Sequence, residues 1–165
     1  MKSRILLIAL LSIGVVLTAC KKDEDEEEGG GNNTPVPGAS SMTLKIDGAD
    51  WSASLAVVAT NSNGVFSVTG SDSNAKQCGI SVMNVSGPGT YELGGTLTNP
   101  NMGRWTASTS PSDTYVTSLG QGSGQVVITS LSDTHVKGTF EFTAKNSEQQ
   151  MVTISSGSFD ADITQ

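Results

Sequence analysis

Along most of this chain, apolar positions recur every second residue rather than every third or fourth. Leu44 and Ile46 alternate with Thr43, Lys45 and Asp47, Ser67 separates Phe66 from Val68, and Cys78 alternates with Ile80 and Val82. A period of two puts successive side chains on opposite faces of a pleated strand, so each run predicts a strand with one buried face. From Met42 onward no stretch of a dozen residues holds the 3.6-residue period of a helix.

Turn chemistry divides these runs. Asp47-Gly48 fits a two-residue hairpin turn, whose central positions both need positive φ. Asn61-Ser62-Asn63-Gly64 gives a second turn, and Gly87-Pro88-Gly89 breaks a third run. After a first strand through Leu44 and Ile46, the pattern predicts strands over 51–60, 65–70 and 77–85. Shorter ones follow over 90–93, 104–108 and 114–119, then 123–131, 136–144, 151–154 and 158–163. Phe140, Phe142 and Ala144 share one face of their strand, as do Phe159, Ala161 and Ile163 of theirs. About nine to eleven short strands with frequent turns predict an all-β domain, an antiparallel β-sandwich or a flattened β-barrel. The pattern leaves those two open.

The first forty residues follow another rule. Lys2 and Arg4 precede an apolar run from Ile5 to Val16 that is too short to span a bilayer. It ends in Leu17-Thr18-Ala19-Cys20, which resembles the lipobox cleaved by lipoprotein signal peptidase. Residues 1–19 are therefore expected to form a lipoprotein signal peptide, and Cys20 to carry the lipid. Acyl chains contribute roughly 0.8 kcal/mol per buried CH₂, so two or three of them hold a protein firmly on a membrane. Residues 20–40 read as a tether, with an acidic block over 23–28 followed by Gly, Asn and Pro, a composition that cannot build a core. Lys22, Asp23 and Glu24 resemble the export signal that sends Bacteroidota lipoproteins to the outer face of the outer membrane. The expected location is thus the outer membrane, lipid-anchored and exposed at the cell surface. Residues 41–165 are expected to form a single all-β domain.

Charge narrows the partners. The whole chain carries −7, and loss of Lys2 and Arg4 with the leader makes it −9. The domain keeps five scattered basic residues, Lys45, Lys76, Arg104, Lys137 and Lys145, and a net of −5. Binding a phosphate backbone needs a clustered positive patch, so no nucleic-acid partner is expected.

The search for chemistry finds no catalytic motif. His135 is the only histidine, it sits in a turn-like Asp133-Thr134-His135, and Gly-x-Ser-x-Gly is absent. His135 therefore reads as a solvated loop residue. With Cys20 lipidated, one His and one Cys cannot supply an ordinary zinc site. Asp72-Ser73-Asn74, and Asp47 with Asp50, lack the rest of a calcium loop and are explained by turn chemistry. No metal or cofactor is expected. Cys78 reads as a small buried apolar side chain.

Aromatic residues are the remaining lead. Trp51 is expected to pack in the core, whereas Trp105 and Tyr115 are candidate ligand-binding residues, because flat rings stack on sugars. Trp105 follows Asn99-Pro100-Asn101-Met102-Gly103-Arg104, a loop that could form a binding edge.

The order of short motifs is itself informative. Ile46-Asp47-Gly48-Ala49-Asp50-Trp51, Gly89-Thr90-Tyr91-Glu92-Leu93, Val126-Val127-Ile128-Thr129, Val136 to Ala144 and Ser156-Gly157-Ser158-Phe159-Asp160 follow one another along the domain. In that order the chain resembles a Bacteroidota lipoprotein family of unknown function. The resemblance implies location and fold, and brings no active site. The functional expectation is a non-enzymatic binding or interaction module whose partner is a glycan or an envelope protein. The alternatives are a structural envelope protein, or a β-barrel that holds a small apolar ligand.

Overall fold

Two dipeptides set the first hairpins. Asp47 and Gly48 take φ of 49° and 88°, the positive values of a type I′ turn. They join β1 (Ser41–Ile46) to β2 (Ala49–Ser52). Asn63 and Gly64 repeat the geometry at 53° and 77° between β3 (Ala56–Ser62) and β4 (Val65–Ser71). The computed structural model describes residues 39–164, so the leader, Cys20, Lys22, Asp23 and Glu24 lie outside the described residues. The remaining strands are β5 (Gln77–Met83), β6 (Gly89–Gly94), β7 (Met102–Thr106), β8 (Thr114–Val116), β9 (Ser123–Leu131), β10 (His135–Lys145) and β11 (Met151–Asp162). Among the described residues the helical pieces are two 3-10 turns, Pro111–Asp113 and Ser118–Gly120.

The eleven strands form one antiparallel sheet that curls into a half-barrel, which bears out the all-β expectation. Its order is β2-β1-β11-β10-β8-β7-β5-β4-β3, with β9 also paired to β10 and β6 to β9. Strand β10 is the branch point. From Val136 to Thr143 it pairs with β9, and at Lys145 it pairs with Val116 of β8. Two wings result: β2-β1-β11-β10-β9-β6 and β8-β7-β5-β4-β3. An isolated parallel bridge between Ala59 and Ile163 ties the edge strand β3 back to the end of β11. Thr164 N–H supports it, donating to the Ala59 carbonyl at 2.9 Å.

The inward faces of the wings make one core. Phe66 and Val68 of β4, Ile80 and Val82 of β5, Phe140 and Phe142 of β10, and Phe159 of β11 are all at most 3% exposed. Two glycines let the wings approach. A Cβ at Gly70 would lie 2.8 Å from the Met42 sulfur, and one at Gly103 would lie 2.8 Å from the Phe142 ring. Both positions are thus read for their lack of a side chain.

Two predicted boundaries change. The expected strand over 51–60 is two strands, because the chain crosses between wings inside it. Ala53 N–H bonds to the Met42 carbonyl, whereas Leu55 N–H bonds to the Ser71 carbonyl on the other wing. Conversely, the expected strands over 151–154 and 158–163 are one, β11, interrupted by a β-bulge. Ser156 there adopts φ of 51°, and the buried positions switch from Val152 and Ile154 to Phe159 and Ala161. One inserted residue reverses the parity of every side chain after it.

Candidate functional site

The aromatic pair singled out by sequence faces inward. Trp105 is 2% exposed, and its ring meets Trp51 edge-on with centroids 5.3 Å apart. Tyr115 is paired with Trp105 in register and packs half-buried against the same core. This corrects the expectation of a ring ledge: stacking a sugar on Trp105 would require opening the wings. The loop before it is also committed. Asn99 Nδ2 donates to the Glu92 and Gly94 carbonyls, and Asn101 Nδ2 donates to the Glu92 carbonyl, which covers the outer edge of β6. Such amide plugs block pairing with another chain.

Trp51 binds Asp72, the one buried charged side chain among the described residues. Its indole Nε1–H donates to Asp72 Oδ2 at 2.8 Å, and the amides of Asn74 and Lys76 donate to Oδ1. Asp72 is 8% exposed. Burial presses its carboxyl upward, but the Trp51 bond, the two amide bonds and the Lys76 charge outweigh this and hold it below its ordinary value. The calcium-like triplet is therefore a closed turn whose carboxylate already serves protein donors. Asp47, the other turn acid, accepts from Thr153 N–H at 2.9 Å. Among the described residues no three His, Cys, Asp or Glu side chains converge as metal ligands do. Cys78 is fully buried, and burial pushes its thiol far up, so it acts as the apolar side chain that the pattern implies.

Open surface lies on the outward face of the first wing. The bulge at Ser156 bends β11 and leaves a shallow groove on each side. One, of about 320 Å³, is lined by Gln125, Val127, Thr139, Glu141 and Ser158. The other, of about 340 Å³, is lined by Thr43, Lys45, Asp50, Trp51 and Ser52. Ser156 borders both. Hydroxyls, a carboxamide and charged groups stand among apolar wall atoms from Val127, Phe140, Leu44 and Trp51: Thr43 Oγ1 lies 3.0 Å from Ser158 Oγ, and Gln125 Nε2 donates to Glu141 at 3.1 Å.

Below the grooves, the outward residues of β10 and β11 form a charge ladder. His135 is the first residue of β10 rather than a loop residue. Its Nε2 lies 2.7 Å from Asp160 and its Nδ1 lies 2.8 Å from Asp162, while Lys137 Nζ reaches the other Asp160 oxygen at 2.6 Å. The Asp162 bond, followed by Asp160 and both negative charges, raises the His135 pKa against a partial desolvation that lowers it. With a carboxylate on each ring nitrogen, the imidazole leaves neither nitrogen open to a substrate. Asp160 is held below its ordinary value, first by Lys137, against desolvation, and then by His135. Sequence reasoning missed this ladder. Its signal was the outward alternation of Asp160 and Asp162, but the partners become visible only once β10 and β11 are in register.

Neither a curated protein nor a solved structure matches the chain. Residues 39–161, which span the strands from β1 almost to the end of β11, match a domain of unknown function, DUF6252, and the chain belongs to that family.

Proposed function

We propose that this chain is a lipid-anchored, non-enzymatic binding module of the outer envelope. Cys20 attaches it to the membrane, and Lys22, Asp23 and Glu24 direct it to the cell surface. Its sheet faces engage a polar partner, a glycan or an envelope protein. The observation that carries the binding role is the pair of grooves meeting at Ser156, where two open hollows with hydroxyl, carboxamide and charged groups adjoin on one sheet face. The doubly bonded His135 supports a non-enzymatic reading, since the single imidazole is engaged on both sides. A surface site is favoured over an internal apolar ligand by the closeness of the wings at Gly70 and Gly103.

Two measurements test this. Cys20→Ser should abolish acyl labelling and leave an uncleaved or mislocalised precursor, and intact lipidation would refute the anchor. A glycan array probed with the full-length protein in nonionic detergent should give hits that weaken when Ser156 is replaced by Arg. Hits untouched by that change would remove the grooves from the reading.

A further inference from the structure

The five basic residues of the domain are not equivalent. Lys45 is ion-paired with Asp50 at 2.5 Å and Lys137 with Asp160, while Lys76 lends its charge to Asp72. Like Lys76, Arg104 and Lys145 have no carboxylate within ion-pair distance among the described residues, although acids outnumber bases two to one in this domain. Register brings these two together from positions 41 residues apart in sequence. Arg104 of β7 is paired with Val116 of β8, and the same Val116 is paired with Lys145 of β10. Directly paired residues project to the same side of a sheet, so the three form one row across the outward face where the wings join. Two strand spacings, about 10 Å, separate the backbone positions of Arg104 and Lys145, and the Arg104 guanidinium lies over Gly79 on the side away from Val116.

The surroundings suit an extended chain. On one side of the row a groove of about 220 Å³ holds Arg104 among Ser67, Thr69 and Ser81. Gly79, paired with Arg104, lies beneath it: a Cβ there would be in ordinary contact with the guanidinium, at 3.8 Å. On the other side a hollow of about 450 Å³ is lined by Val116 and Lys145 together with Gln121 and Gln149. The row is thus two cations flanking one apolar side chain, bordered by hydroxyls and carboxamides.

We infer that the Arg104–Val116–Lys145 row binds an anionic polysaccharide, a chain whose sugars carry a carboxylate or sulfate on about every second ring. The inference rests on the binding-module reading and names the ligand class for a second face. The charges stand at least the length of two linked sugar rings apart, so a polymer with spaced charges reaches both where a small anion reaches one, and Val116 offers a C–H surface for a ring between them. Arg104 grips a carboxylate or sulfate through its planar fork, and Lys145 meets the next charge. A densely charged polyphosphate or nucleic acid fits less well, since a net charge of −5 on the domain repels it and only two cations answer it.

The test uses the full-length protein in nonionic detergent with four probes: hyaluronan, with a carboxylate on every second ring, keratan sulfate, polyglutamate and neutral dextran. Hyaluronan or keratan sulfate should bind with an affinity that falls as salt rises. Arg104→Gln and Lys145→Gln should each weaken it about tenfold, as expected for one charged hydrogen bond. Lys76→Gln, off the row, should not weaken it, and all three variants should melt close to the parent. Equal loss in Lys76→Gln would overturn the site in favour of diffuse attraction. Polyglutamate binding as tight as hyaluronan or keratan sulfate would overturn the ligand class in favour of an acidic peptide. Binding of neutral dextran alone, indifferent to Arg104 and Lys145, would overturn this inference while leaving the binding-module reading standing.

Discussion

The two faces of β10 divide the labour of this domain. Inward, Val136, Phe140, Phe142 and Ala144 are at most 3% exposed, and Phe140 stacks near both Phe142 and Phe159 with centroids 6.3 and 6.2 Å apart. Outward, His135, Lys137, Thr139, Glu141 and Lys145 meet water, acids or open grooves. The same eleven residues carry both sets, separated only by the alternation of the pleat. Burial makes the first set stabilising. Solvent makes the second set cheap to vary, which is where a surface can acquire binding chemistry.

Replacing Phe140 by Ala is the hardest test of that division and should have the largest effect, a loss of about 3–5 kcal/mol in chemical denaturation. A loss under 1 kcal/mol would mean that the inward face does not hold the wings together. Asp72 is the informative exception, a carboxylate placed inside. Asp72→Ala leaves the Trp51 indole and two amides without their acceptor and should cost about 1–3 kcal/mol. A double-mutant cycle with Trp51→Phe isolates the indole bond, and zero coupling energy would show that the link is idle.

The outward ladder should matter least. His135 has a side chain 34% exposed, so His135→Ala is expected to cost about 1 kcal/mol or less at pH 6. Its pH dependence gives a sharper check. The folded-state pKa is raised above the ordinary 6.5, so the ladder stabilises fully below about pH 6.5 and this contribution fades as pH rises through the folded value. Asp72 and Asp160 have the opposite sign. Their pKa values are lowered, so their contribution is present above about pH 4 and is lost as pH falls through the folded values. Melting temperature followed against pH should therefore be highest between about 4 and 6.5. In His135→Ala the alkaline decline should flatten while the acid one remains. An unchanged alkaline limb would assign that decline to another group.

Much of this was legible beforehand, for identifiable reasons. Asp47-Gly48 and Asn63-Gly64 declared their hairpins because positive φ at two successive positions is a local requirement. Phe140, Phe159 and Ala161 declared their faces because alternation needs no partner to be seen. The Trp105 expectation failed on the same ground that made it attractive. A large flat ring is worth as much to a core as to a ligand, and only the facing Trp51 decides which claims it. The bulge at Ser156 escaped because a serine at positive φ leaves no compositional mark.

By itself, then, the sequence determined the period-two strands, their turns and the apolar faces, because each follows from residues within a few positions of one another. The tertiary structure decided what depends on register between distant segments. It branched the sheet at β10, so that Val136 to Thr143 faces β9 and Lys145 faces Val116. It set His135 against Asp160 and Asp162, and put Arg104 and Lys145 on either side of one valine. A pleated strand fixes which way a side chain points from the residue alone. Which neighbour it meets is fixed by pairing energies summed over whole strands, and a single inserted residue such as Ser156 reassigns them all.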